Sequence, residues 1–471
     1  MPDASIVTVK LSGMRLRRPR QWGACWLALR LWQQLGLDEF FAARLPRSRK
    51  GTRWDGVLCV LVAYRLLPHK QALFTHLTQR WRDLFNASYE VLLYDLTSTY
   101  FESDPPLDEH DKRRYGYSRD HRPDGVQIVI ALIVTPEGLP IAYEVLPGNT
   151  GDATTLRAFL AKIEHQYGKA QRIWCRDRGI PTEAVLAEMR ASEPPIQYLV
   201  GTPKGRLNRL EAALLMKPWR EARAGVKVKL LPEEGELYVY AESHDRIAKE
   251  RSMRRRLLKW LWARLAQLQA MTLTRDALLM KLGSAQSKAP AAWRLLDVRV
   301  DEQNATFTYR LNRTKLRQVR RREGRYLLRT NLTETDPVKL WNTYLQRVQV
   351  EAAFRTLKND LAIRPIFHQL ESRIEAHVFV ACLAYGLYIT LTRHLAAQAP
   401  GLTARDALEK FAAVQMVDVH LPTTDGRELL LTRYSEPEPE LQLLLERLQL
   451  ALPAQPKPRI SRAERSTATA V

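Results

Sequence analysis

Residues 344–361 read YLQRVQVEAAFRTLKNDL. The segment holds no Gly or Pro and is rich in helix formers, so the pattern predicts one continuous helix. At about 100° per residue, Arg347, Glu351 and Lys358 fall about 60°, 20° and 40° to one side of Tyr344, so all four share an arc of about 60°. One carboxylate is framed by two cations and a phenol, as a site holding a divalent metal and a phosphodiester together would require. The plainer alternative is a solvated face with weak ion pairs, worth about 0.2–0.5 kcal/mol each. Leu345, Val348 and Ala352 flank the stripe on one side, and Val350, Phe354 and Leu357 on the other. Gln346, Gln349, Thr356 and Asp360 supply a wet opposite face. The stripe is therefore expected to be set into the protein.

Two more carboxylates sit in apolar runs. Asp95 lies within VLLYDLTSTYF, and Asp177 ends RIWCRD. A carboxylate in a buried strand is unfavourable without a counter-charge; a metal is one solution, and a backbone cap or ion pair the commoner one. Strand alternation puts Arg176 and Arg178 on the face opposite Asp177, which favours the metal. Asp95, Asp177 and Glu351 together could bind two Mg²⁺ ions, since Mg²⁺ prefers oxygen ligands and keeps several waters. One ion would activate a water or 3′-hydroxyl and the other would stabilise the leaving oxygen. Arg347 and Lys358 would hold non-reacting phosphates, with Tyr344 donating a further hydrogen bond.

The 471 residues suit two to four domains, and 45% hydrophobic content is enough to fold. Lys and Arg number 73 against 51 Asp and Glu, a net charge of +22 that points to a polyanion, nucleic acid first. Cys25, Cys59, Cys175 and Cys382 form no CxxC pair, which fits a reducing compartment and argues against a zinc cluster or disulfide framework. No signal peptide is read at the start, and the apolar stretch Val378 to Thr392 is too short to span a bilayer, so a buried helix and a cytoplasmic protein are expected.

Along the chain, RLRRPR (15–20) reads as a basic entry segment to a helical region from Trp22 to about Asn86, with Gly36 stopping one helix and Asp38 capping the next. Strands are expected in 89–101, in GVQIVIALIV and in LPIAYEVLPG, the last two joined through Pro136-Glu137-Gly138, then in QRIWCRD and IQYLVG, with a helix from Thr154 to His165 between. This is a mixed α/β pattern, a sheet covered by helices. Residues 202–330 interrupt it with short strands and a long basic helix centred on RSMRRRLLKWLWARLAQLQ. The expected domains are 1–88 (helical, DNA-binding), 89–201 and 331–400 (two parts of one core), 202–330 (insertion), 401–452 (closing unit) and 453–471, a disordered tail.

The order Asp95, Asp177, Glu351 resembles the DDE triad of bacterial insertion-sequence transposases. Tyr344-x2-Arg347-x3-Glu351-x6-Lys358 is similar to the Tyr-Arg-Glu-Lys signature of their IS-four branch at all four positions. YDLTSTYFE, GYSRDHRPDGVQIVIAL, LPGNTGDATTL and DRG add to the likeness, which spans roughly residues 25–450. The resemblance implies an RNase H-like core with a mostly β insertion and cut-and-paste transposition dependent on two Mg²⁺ ions, Mn²⁺ being a substitute. It implies Asp95, Asp177 and Glu351 as metal ligands, and Tyr344, Arg347 and Lys358 as contacts to the DNA backbone. Its implied partners are double-stranded DNA, as terminal inverted repeats and target, and a second copy of the chain in a synaptic complex. The rival readings are a metal-dependent nuclease without strand transfer and a non-catalytic DNA-binding regulator.

Smaller candidates remain. Asp120, His121 and Asp124 form a possible ligand cluster, though a solvated loop approaching DNA is the preferred reading. Gly148 to Asp152 (GNTGD) reads as a turn before a helix start at Thr154, and the resemblance implies that it lies beside the active site. Trp260 and Trp262 could stack on a base, with core packing preferred. Arg254 to Arg256 and Arg320 to Arg322 are candidate phosphate contacts.

Overall fold

The computed structural model describes residues 7–45, 56, 58–59, 70–85, 91–108, 110–120, 122–150, 173–176, 182–202, 209–210, 213–214, 216–233, 235–301 and 305–462. The chain divides into two compact units, Met1–Ala170 with Val348–Val471, and Gln171–Arg347. The expected helix from Thr154 to His165 lies outside the described residues.

The first unit opens with strand β1 (Arg15–Gln21), formed by the stretch read from sequence only as a basic entry segment. Its pairing slips between Arg17 and Arg20, where Pro19 lacks a donor and Arg18 takes φ 53°. Helices α1 (Gly23–Gln34) and α2 (Leu37–Ala42) are separated at Gly36, whose φ of 63° suits a residue without Cβ. Helix α3 (Lys70–Phe85) buries Trp81, whose Nε1 donates to Thr390 Oγ1 at 3.0 Å. Strands β2 (Val91–Tyr100), β3 (Gln127–Val134) and β4 (Pro140–Pro147) form an antiparallel group in the order β4-β3-β2. Every residue of β3 is buried, so this unbroken apolar run is covered on both faces. The β3–β4 turn closes through Gly138 N donating to Thr135 O at 2.8 Å.

The second unit contains β5 (Ile173–Arg176), α4 (Glu183–Ala191), β6 (Gln197–Thr202), β7 (Arg220–Arg223), β8 (Val226–Glu233), β9 (Glu236–Ser243), α5 (His244–Gln269), α6 (Arg275–Lys288), α7 (Pro290–Trp293), β10 (Leu296–Val300), β11 (Phe307–Leu311), α8 (Arg313–Arg321), β12 (Arg325–Thr330) and α9 (Pro337–Leu345). Its large sheet runs β5-β6-β12-β9-β8-β7; β5 and β6 are parallel and the other pairs antiparallel. The interrupting segment thus holds strands and long helices alike. Leu261, Leu265 and Leu268 of α5 pack with Leu278 and Leu282 of α6 over the β10–β11 hairpin. A buried charge network crosses the sheet: Glu236 accepts from Arg329 Nε at 2.5 Å, from Arg190 Nη1 at 2.9 Å and from the Tyr198 hydroxyl. Arg329 reaches Glu183 at 2.8 Å with its other arm.

The chain then returns to the first unit with α10 (Val348–Arg355), a π-helical turn at Thr356–Asp360, α11 (Glu371–Gln398), α12 (Ala404–Ala412), β13 (Gln415–Pro422), β14 (Arg427–Tyr434), α13 (Pro439–Arg447) and β15 (Arg459–Arg462). Helix α11 is apolar and long enough to cross a membrane, but 83% of its most apolar window is buried inside the protein, so it is a core helix. It packs on β4, and its Tyr385 hydroxyl donates to Gly138 O at 2.7 Å. A second antiparallel sheet runs β1-β13-β14-β15. Arg20 forks onto Asp418 at 3.1 Å, and Trp22 stacks on Tyr434 at 4.5 Å. The tail expected to be disordered from residue 453 instead supplies β15, whose Arg459–Arg462 backbone completes the edge of β14; backbone pairing is indifferent to the polar composition that suggested disorder. The architecture is mixed α/β.

Candidate active site

Asp95 sits in the middle of β2, opposite Leu132 of β3. Its neighbours Leu92 to Tyr94 and Leu96 to Thr99 are buried, and Asp95 itself is half-buried. One oxygen, Oδ1, accepts from the Leu96 amide at 2.9 Å.

The continuous helix expected over 344–361 is broken. Helix α9, capped by Asp336 with Pro337 in its first turn, ends at Leu345. The amides of Gln346 and Arg347 bond three residues back, to Thr343 O at 3.3 Å and Tyr344 O at 3.1 Å. That tightening ends the 3.6-residue register, and a separate helix, α10, starts at Val348. A π turn then breaks the register again at Thr356. The shared arc of about 60° therefore does not hold across the four residues. The expected two-sided apolar flank is also one-sided: Val350, Phe354 and Leu357 are buried, whereas Val348 is 51% exposed and Glu351 is exposed.

Helix α10 packs on β2 and β3, so the helix carrying Glu351 lies on the strand carrying Asp95 within one unit. Asp177 and His121 lie outside the described residues, and among those described no three His, Cys, Asp or Glu side chains gather as a metal-binding group. Asp95 and Glu351 still offer carboxylate oxygens on mutually packed elements, the donor type that a hard divalent cation takes.

Tyr344 and Arg347 belong to the second unit. Tyr344 is buried, with the Arg347 guanidinium 5.5 Å from its ring centre. Both line a cavity of about 360 Å³ within that unit, together with Arg223, Arg246, Arg325 and Trp341. Arg223 stands 5.2 Å from the centre of the Trp341 ring, and Trp341 Nε1 donates to the Tyr326 hydroxyl at 2.5 Å. Glu242 pairs with Arg325 at 2.5 Å and Glu250 with Arg246 at 3.1 Å. The lining is rich in arginine, whose guanidinium fork can bind two oxygens of a tetrahedral anion such as a phosphate. Arg223, Arg246 and Arg325 come from two strands and a helix far apart in sequence, and no local signal marks them.

Lys358, on the π turn, is largely buried and donates to Asp120 Oδ1 at 2.7 Å. Arg364 bonds the same oxygen. Burial pushes the Lys358 ammonium below its usual pKa, and the Asp120 charge partly restores it. Asp120 is therefore no solvated loop residue, contrary to the sequence reading, while Asp124 is exposed and pairs with Arg122 at 3.0 Å. Trp260 and Trp262 are 40% and 43% exposed, so the core-packing expectation fails: α5 turns Leu261 and Leu265 inward instead. Arg254 is turned onto the buried Glu323, whereas Arg255, Arg256 and Arg320 to Arg322 are exposed. Gly148 packs against the start of β3, with Gln127 Nε2 donating to its carbonyl at 2.9 Å, and residues 151–152 lie outside the described residues.

No curated protein matches this chain. Among solved structures it is similar to the piggyBac transposase in a synaptic complex with hairpin DNA, at 8% identity and a TM-score of 0.37, over 83% of this chain and 69% of that one. The profile described as the transposase DDE domain matches residues 86–387, a span that takes in Asp95, Asp120, Asp177 and the whole 344–361 segment. The chain belongs to the transposase DDE domain family.

Proposed function

We propose that this DDE transposase cleaves double-stranded DNA at the ends of a mobile element and joins the freed 3′-hydroxyl to target DNA, with Mg²⁺ as cofactor. The structural observation that supports it is the packing of the Glu351 helix on the Asp95 strand. Asp95, Asp177 and Glu351 would hold two ions, with Mn²⁺ able to substitute. Bound there, the metal supplies an activated water or hydroxyl and a counter-charge for the leaving oxygen. The net charge of +22 suits the polyanionic substrate. Tyr344 and Arg347 would seat a backbone phosphate in the arginine-lined cavity, and Lys358 would hold another. Joining two element ends to one target calls for a homodimer or larger complex, acting at the nucleoid.

The test starts from the DNA flanking the gene, where matching inverted repeats define the substrate. With such ends, the protein nicks in the presence of Mg²⁺ and joins pre-cut ends to a plasmid. Glu351→Gln retains DNA binding and loses nicking. Release of ends without joining would reduce the activity to that of a nuclease. Unchanged nicking by Glu351→Gln would remove Glu351 from the metal site.

A further inference from the structure

We propose that Asp120 is a positioning residue for DNA cleavage, its buried carboxylate clamping Lys358 and Arg364 into a two-cation seat for one backbone phosphate. The inference rests on the transposase reading above and adds Asp120 and Arg364 to the residues it uses.

Three observations carry it. The first is the charge balance. One carboxylate, 4% exposed, faces two cations, Lys358 at 12% and Arg364 at 27% exposure. Arg119 lies close enough to depress Lys358 further. Two cations drawn together over one carboxylate leave an excess positive charge, which a phosphate would neutralise. Lys has three N–H donors and Arg five, so bonding to Asp120 leaves donors over for a second anion.

The second is the way the carboxylate is held. Asp120 Oδ2 is buried and meets no hydrogen-bond donor among the described residues. Its loop is fastened to the strand of Asp95: the Arg119 amide donates to Ser98 Oγ at 3.0 Å, and the Arg122 guanidinium lies 4.8 Å from the centre of the Tyr100 ring. The third is the setting of the cations. Lys358 rides on a π turn, a local widening that recurs at functional sites. The irregular segment following it is pinned by Ile363 N to Leu357 O at 3.0 Å, Ile366 N to Tyr100 O at 3.1 Å and His377 Nε2 to Ile363 O at 2.9 Å. Asp120 thus ties the π turn and the Arg364 segment to the end of β2. A partly buried pair of cations held by one carboxylate places a phosphate in one position, whereas fully exposed lysines would only attract it.

The experiment uses the full chain and two probes: an element-end duplex for cleavage, and a plasmid fragment without repeats for binding. Asp120→Ala is expected to cut about tenfold to a hundredfold more slowly, the scale on which small misplacements act. Its plasmid affinity is expected to stay level or rise, because a negative charge is gone. Asp120→Asn keeps an acceptor oxygen but loses the charge, so it should cut at a rate between wild type and Asp120→Ala; should Asp120→Ala fail to fold, a slowed Asp120→Asn of unchanged melting temperature supports the clamp and wild-type cleavage by it overturns the proposal. Arg364→Ala should lower the slope of log affinity against log salt by about 1. Wild-type cleavage by both Asp120 variants overturns the proposal. So does parallel loss of binding and cleavage, which marks a merely structural residue, or faster cleavage, which marks a competitor of DNA for Lys358. A wild-type chain that cuts no DNA removes the transposase reading together with this one; active wild type beside equally active variants removes this one alone.

Discussion

Glu236→Gln is expected to loosen the centre of the second unit's sheet. In the native chain the Glu236 carboxylate, 3% exposed, accepts from Arg329, Arg190 and Tyr198. The substitution keeps the shape, removes the charge and turns a donor toward donors. Arg329, 5% exposed, then keeps Glu183 as its one carboxylate partner among the described residues. Glu183 is 64% exposed, so that arm contributes about 0–1 kcal/mol. Removing one partner from a buried pair destabilises by about 3–5 kcal/mol. Amide exchange in β6, β9 and β12, the strands that carry the network, should then accelerate by about two to three and a half decades, at 1.4 kcal/mol per decade. Hydrogen exchange of the full chain, read by mass spectrometry in peptides covering Gln197–Thr202, Glu236–Ser243 and Arg325–Thr330, measures it. Peptides from β13 and β14, in the other unit, serve as the internal reference. Less than tenfold acceleration, or equal acceleration in both units, would refute the reasoning. Adding Arg329→Met should recover part of the loss, since the uncompensated charge is then gone.

Arg347→Ala should reduce the salt slope of DNA binding by about 1 and slow cleavage, whereas a wild-type slope would take it out of the phosphate site. Trp81→Ala empties a fully buried indole site and should destabilise by about 3–5 kcal/mol, while Trp81→Phe, losing chiefly the bond to Thr390, should cost about 1 kcal/mol in denaturant titration. Hydrogen bonds from Arg20 and then Thr432 hold the Asp418 carboxyl below its ordinary pKa. Its stabilising effect is therefore present above the unfolded value of about 4 and lost as pH falls through the folded one, so exchange in β1 and β13 should rise below about pH 4, and in Asp418→Asn should lose that dependence.

The strands were the most readable part of the chain. The apolar runs 127–134 and 140–147, split by a Pro-Glu-Gly turn, declared β3 and β4 directly. The long basic helix and the apolar core helix also stood out from composition. Elements that depend on distant partners were harder to see. RLRRPR becomes β1 by pairing with β13, nearly the whole chain away, where Arg20 meets Asp418. The break after Leu345 carries no Gly or Pro; it arises from two amides bonding three residues back, a choice that residue propensities do not encode. Glu351 and Asp95 could be picked out by chemistry, but their placement on packed elements could not be read from spacing. Asp120 was misread because its loop is full of charge, and only the fold brings Lys358 and Arg364 over it.

The strand formed by Arg459–Arg462 bears on where the chain can be shortened. It occupies the outer margin of β14, whose amides and carbonyls would otherwise face water as an open template for a neighbouring molecule. A truncation after residue 452, which composition alone would invite, strips that cover away. The trimmed protein should then self-associate as its concentration rises, whereas one cut after residue 462 should remain dispersed.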